Sequence, residues 1–136
     1  AVGRGLDTTT AVARLLFSGH FLKYPNMTVI LSHGGGALPF MLGRLRRNAE
    51  IHPGRYADPG EGLARLYFDS VLFDPQALNF LVAKVGAGRV MMGSDYPFPI
   101  GDQCPCRVVE QAKLTKIDTR AILGDTAAKL LALESP

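Results

Sequence analysis

Short apolar runs alternating with helical stripes mark this chain as α/β with a parallel sheet. Three observations carry that expectation. The runs "MTVIL" (27–31), "LYFDSV" (66–71) and "RVMM" (89–92) read as strands, the first continuously apolar as strands covered on both faces are. Between them lie segments with apolar residues at helical spacing, bounded by Pro and Gly. Two of the runs then end in small residues around one polar group: Ser32-His33-Gly34-Gly35-Gly36 after the first and Gly93-Ser94-Asp95-Tyr96-Pro97 after the third. A polar group at the end of a buried strand is costly to desolvate unless something pairs with it, so these two turns are where chemistry is expected.

Each element has its own signal. Asp7 and the threonines behind it offer an N-cap, and Val12, Leu15, Leu16 and Leu22 mark a helical stripe that ends before Pro25. The strand "MTVILS" follows. After the triple glycine, Pro39 suits a first helical turn, with Leu38, Met41, Leu42 and Leu45 on one face. A Pro- and Gly-rich loop, "HPGRYADPGEG" (52–62), leads to the strand "LYFDSV". Asp74 then caps a helix, Pro75 sits at its first position, Leu78, Leu81, Val82 and Val85 line one face, and Gly86 stops it. The strand "RVMMG" (89–93) comes next, and two or three helices close the chain, the last on Ile122, Leu123, Leu130 and Leu131. Strand–helix–strand repeats imply right-handed crossovers and parallel strands. His33 and Asp95 stand 62 residues apart, the span of two such units of about 30 residues each. Both turns therefore fall on the carboxyl edge of the sheet, where α/β folds place ligands.

Composition excludes several classes of function. With 136 residues, 47% hydrophobic and 20% charged, the chain fits a packed domain and not a disordered one. Net charge is +3, and the basic residues are scattered apart from Arg44, Arg46 and Arg47, so no nucleic-acid partner is expected. No run reaches the ~18 apolar residues of a membrane span, and no signal peptide opens the chain, so a soluble, cytosolic protein is expected. Cys104 and Cys106 flank Pro105, a poor arrangement for a disulfide, and are expected as reduced thiols on a loop or helix start. The chain begins at Ala1 without an initiator methionine, which suggests a fragment or a processed product.

The histidine turn admits several chemistries. HGGG can form the oxyanion-hole loop of an esterase, but that requires a G-x-S-x-G elbow, and none occurs. A phosphate cradle is possible, yet the G-x-x-x-x-G-K-[ST] pattern is also missing. Alone, His33 could equally be a histidine satisfying backbone at a tight turn, and Asp95 a turn former. Together, a carboxylate and an imidazole converging from separate strand ends match what a catalytic divalent metal needs: a ligand, and a group to orient or deprotonate bound water.

The motifs "ILSHGGGALPFMLGRL", "LYFDSVLFDPQAL" and "GRVMMGSDYPFPIGD" resemble the carboxyl-terminal half of the amidohydrolase-related decarboxylases, nearest to the aminocarboxymuconate-semialdehyde decarboxylase group. The resemblance runs from about Thr8 to Leu133. It implies strands six to eight and the terminal helices of a distorted (β/α)₈ TIM barrel of the metal-dependent hydrolase type, with residues 1–136 a single partial domain. It implies one divalent metal, usually zinc, with Asp95 as a ligand and His33 as general acid/base beside the metal-bound water. Arg44 is implied to anchor a substrate carboxylate, reaching in from a neighbouring subunit of a homodimer, and Phe98 to line the substrate pocket. The family's H-x-H pair and a further ligand histidine belong to strands one to five. His20 and His52 do not fit those roles. Near the end, Gly124-Asp125-Thr126 stands where the family usually reads G-N-A.

The expected activity is a metal-dependent, non-oxidative decarboxylation of an unsaturated or aromatic carboxylic acid, with the chain inactive by itself. An amidohydrolase-type hydrolase is the enzymatic alternative, since one scaffold hosts both chemistries. A truncated, non-catalytic interaction module is the alternative of another class.

Overall fold

The computed structural model describes residues 2–133. Its elements run α1 (Val2–Phe17), α2 (His20–Lys23), β1 (Val29–Leu31), α3 (Leu38–Glu50), α4 (Pro59–Leu63), β2 (Leu66–Asp69), α5 (Pro75–Val85), β3 (Val90–Met91), α6 (Cys106–Gln111), α7 (Lys116–Arg120) and α8 (Thr126–Leu130). One-turn 3₁₀ segments precede α3 (His33–Gly35) and β3 (Ala87–Arg89), and a π-helical stretch, Ala121–Asp125, joins α7 to α8. The strands form one sheet in the order β1–β2–β3. β2 and β3 are parallel, with Phe68 opposite Val90 and Asp69 opposite Met91, as the crossover through α5 requires.

The chain divides into two compact units, 2–31 with 35–67 and 32–34 with 68–133. In the first, Val12, Leu16, Phe21, Leu31, Leu38, Leu42 and Leu66 are buried. α1 starts at Val2 and not at Asp7, because tertiary contacts outweigh the poor helix propensity of Gly3 and Gly5. Thr9 Oγ1 donates to the Gly5 carbonyl (2.6 Å) and accepts from Ala37 N–H (2.9 Å), tying the helix start to the entry of α3. The expected stripe also breaks earlier. Gly19 adopts φ 70°, which ends the helix and shifts the phase, so that Phe21 turns inward and Leu22 is left exposed. Within the expected loop 52–62, Asp58 caps α4 by accepting from Gly60 N–H (2.8 Å). β1 is shorter than "MTVILS" and is not covered on both faces: Leu31 is buried, but Ile30 is 52% exposed.

In the second unit, Phe68, Val71, Leu78, Leu81, Val90, Val109 and Ile122 form the core. The helix after β2 matches its sequence signals residue by residue: Asp74 Oδ1 accepts from Gln76 and Ala77 N–H, Pro75 opens α5, and Gly86 ends it. The final helix departs from expectation in being interrupted. Thr126 N–H bonds to the Ala121 carbonyl five residues back, which leaves the Ile122 carbonyl free to accept from Met92 N–H (2.8 Å). The terminal helix is thereby joined to the exit of β3.

Candidate active site

His33 follows β1 by two residues and Asp95 follows β3 by four. Both belong to the second unit, and the structure brings them together: His33 Nε2 lies 3.6 Å from Asp95 Oδ2. Their side chains are 28% and 13% exposed, so the pair is largely shielded yet reachable. At 3.6 Å the contact is too long for a hydrogen bond. Neither group is therefore committed to the other, and both retain capacity for a third partner.

The backbone at both residues is unusual. His33 has φ 56° and Asp95 φ 60°, in the left-handed region that costs an ordinary L-residue about 1–2 kcal/mol. Histidine and aspartate are among the few side chains enriched there. Such conformations persist only where surrounding bonds over-determine them, and they concentrate at functional sites.

Those bonds can be named. Next to His33, Gly34 N–H donates to Asp69 Oδ1 (2.9 Å), and the same oxygen accepts from Val71 N–H (3.1 Å). A hydrogen bond contributes about 0.5–1.5 kcal/mol net, comparable to the local strain. Gly34 must also be glycine for space. It has φ 60°, and a Cβ there would come within 2.6 Å of Leu72 Cδ2. Beside Asp95, Asp102 N–H donates to the Ser94 carbonyl (2.7 Å), Phe98 N–H to the Asp95 carbonyl (3.0 Å) and Gly101 N–H to the Phe98 carbonyl (2.8 Å). These close residues 94–102 into a compact loop, and a cis Tyr96–Pro97 peptide lies within it.

Phe98 therefore sits in the same loop as Asp95, half exposed, and Tyr96 and Ile100 beside it are also exposed. Arg44 belongs to the first unit, exposed on α3, where it lines a groove with Met41, Leu45, Arg47, Asn48 and Ile51. Cys104 and Cys106 are in no disulfide. Among the described residues no cluster of three or more His, Cys, Asp or Glu converges as a metal cage. The donor set at the site is one carboxylate with one imidazole beside it. That fits part of a divalent site and falls short of the three protein ligands a catalytic zinc uses.

Sequence reasoning missed Asp69 and Ser70. The signal was present, since "LYFDS" also ends an apolar strand with polar residues, the pattern that singled out His33 and Asp95.

An amidohydrolase family model matches residues 2–133. The chain belongs to the amidohydrolase family. Among curated relatives of this amidohydrolase chain, 2-amino-3-carboxymuconate-6-semialdehyde decarboxylase of Dictyostelium discoideum is 34% identical over 139 residues, covering 98% of this chain and 39% of its own length. The enzyme of that name from Caenorhabditis elegans is 32% identical, with 98% and 35% covered. A solved structure of dihydroxybenzoic acid decarboxylase from Polaromonas sp. JS666, with bound manganese and the inhibitor 2-nitroresorcinol, superposes with a TM-score of 0.84 at 27% identity, covering 97% of this chain and 42% of that one. The chain thus spans about two fifths of the length of the relatives it matches. Its α/β fold is that of part of an amidohydrolase-type (β/α)₈ barrel.

Proposed function

We propose that this chain is part of a metal-dependent, non-oxidative decarboxylase of an unsaturated or aromatic carboxylic acid, and that residues 1–136 are one partial barrel domain. The observation that carries the reading is the 3.6 Å approach of His33 Nε2 to Asp95 Oδ2 from separate strand ends. Relatives named as decarboxylases of small carboxylates support the choice of reaction.

In this reading Asp95 supplies one ligand to a divalent ion, whose contribution when bound is to polarise a substrate oxygen. Zinc is the ion expected from sequence. The manganese of the Polaromonas structure makes an oxygen-rich manganese site its rival, and a carboxylate donor suits either. When the bond to the carboxylate carbon breaks, its electron pair stays on the substrate carbon and a proton must take the vacated position. His33 Nε2 holds that proton and delivers it. Arg44 offers a planar fork that engages a substrate carboxylate through two hydrogen bonds, reaching the site from a second subunit of a homodimer. Phe98 provides an aromatic face against the substrate. A cytosolic location is the one expected from the sequence. No helix of the described residues is long and apolar enough to cross a membrane.

The test is made on the full-length protein carrying this chain, loaded with zinc or manganese and offered 2-amino-3-carboxymuconate semialdehyde and 2,6-dihydroxybenzoate. One CO₂ released per substrate consumed, without uptake of oxygen, is the expected result. Substrate loss with a hydrolysis product and no CO₂ would instead establish the amidohydrolase-type hydrolase.

A further inference from the structure

β2 stands between the strands that deliver His33 and Asp95, and its carboxyl end carries two polar side chains that the proposed chemistry leaves unused. Each reaches toward a different turn. Asp69 Oδ1 accepts from Gly34 N–H at 2.9 Å, the peptide immediately after His33. Ser70 Oγ accepts from Gly93 N–H at 3.3 Å, two residues before Asp95. Ser70 is 1% exposed, and its own N–H donates to the Met91 carbonyl at 2.9 Å, so its backbone is fixed to the strand it braces. Gly93 lies so close that a Cβ there would stand 3.0 Å from Asp69 Cβ and 2.9 Å from Val71 Cγ2. The second oxygen bond of Asp69, from Val71 N–H at 3.1 Å, anchors the carboxylate to its own strand end.

We infer that Asp69 and Ser70 are a positioning pair that sets the separation of His33 from Asp95, one side chain holding each turn. The inference rests on the reading of His33 and Asp95 as the catalytic pair. Asp69 acts through the Gly34 peptide, whose orientation fixes the left-handed backbone of His33. Ser70 acts through Gly93, whose orientation fixes the approach to Asp95. What Asp69 supplies is an acceptor oxygen, which asparagine also has and leucine lacks.

The experiment uses the full-length, metal-loaded protein and two readouts, amide hydrogen exchange and steady-state kinetics. Asp69→Leu should speed exchange at Gly34 and Val71, and Ser70→Ala should speed it at Gly93. Asp69→Asn should leave these rates near wild type. Misplacing a catalytic group costs up to about 100-fold in rate, so Asp69→Leu is expected to lower kcat by about 10- to 100-fold with KM changed by less than about threefold and metal content retained. Asp69→Asn should restore most of kcat, and Ser70→Ala should lower kcat in the same direction. A merely structural role would lower thermal stability in step with activity and would not split kcat from KM. Faster Gly34 exchange with kcat unchanged would overturn the inference, as would an asparagine variant as damaged as leucine. If the wild-type protein releases no CO₂ from carboxylates, the functional reading fails, and the exchange rates alone decide the brace. Unchanged rates in both Asp69→Leu and Ser70→Ala would then sink it.

Discussion

His33 and Asp95 each combine a reactive side chain with a left-handed backbone, and the two properties call for different tests. With Asp95 a metal ligand as proposed, Asp95→Ala in the full-length protein is expected to lose bound metal, read by elemental analysis, together with activity. His33→Ala should keep the metal and lose about 10²–10⁴-fold in rate, the usual contribution of a general acid or base. A His33→Ala protein that arrives metal-free would make His33 a ligand. At Arg44, lysine keeps the charge and loses the fork, so Arg44→Lys should lower kcat/KM without lowering the melting temperature. Unchanged kcat/KM would leave Arg44 an ordinary surface residue of α3. The approach of His33 and Asp95 was legible in sequence because both follow strands of one parallel sheet. Asp69 ends its strand in the same way, but its bond to the Gly34 peptide, 35 residues away, is written nowhere in the local sequence. Many aspartates end strands, and nothing in "LYFDS" says which N–H they face.

Among the elements, α5 was read correctly because every instruction for it lies within its own residues: cap, proline, apolar stripe and terminal glycine. Its cap is therefore a clean test of local energetics. Asp74→Ala should destabilise the full-length protein by about 1 kcal/mol with activity at saturating substrate unchanged, measured by chemical denaturation. A loss below a few tenths of a kcal/mol would mean that α5 is held by packing of Leu78 and Leu81 alone. Elements misjudged from sequence share the opposite character. α1 begins five residues early because Thr9 reaches Ala37 at the entry of α3, and α2 turns Phe21 inward because Gly19 resets the phase. β1 was expected to be buried on both faces, yet Ile30 stands open. Its composition reports the cover a barrel strand normally has, and the described residues supply only part of it.

For the molecule as a whole, the share of its relatives that it spans governs what the isolated chain can do. β1 and β3 each have a strand partner on one side only among the described residues, and unpaired strand edges are templates for association. Exposed Ile30 and Met92 add apolar surface at those same strands. The isolated 136-residue chain is therefore expected to self-associate in sedimentation velocity. A monodisperse monomer that unfolds cooperatively would contradict the barrel-part reading and indicate a complete small domain. Its zinc affinity should also be weak, since one carboxylate is far from a full ligand set. Tight, stoichiometric zinc binding by calorimetry would bring Cys104 and Cys106 back as ligands.

The π-helical stretch Ala121–Asp125 amounts to a helix one residue too long for its own register. Deleting Gly124 would let α7 and α8 join as one regular helix, with each N–H again reaching four residues back. The cost would fall elsewhere. The Ile122 carbonyl would be claimed by its own helix, and Met92 N–H would lose its acceptor. A shorter, more regular helix would thus slacken the exit of β3, from which the chain runs on to Asp95.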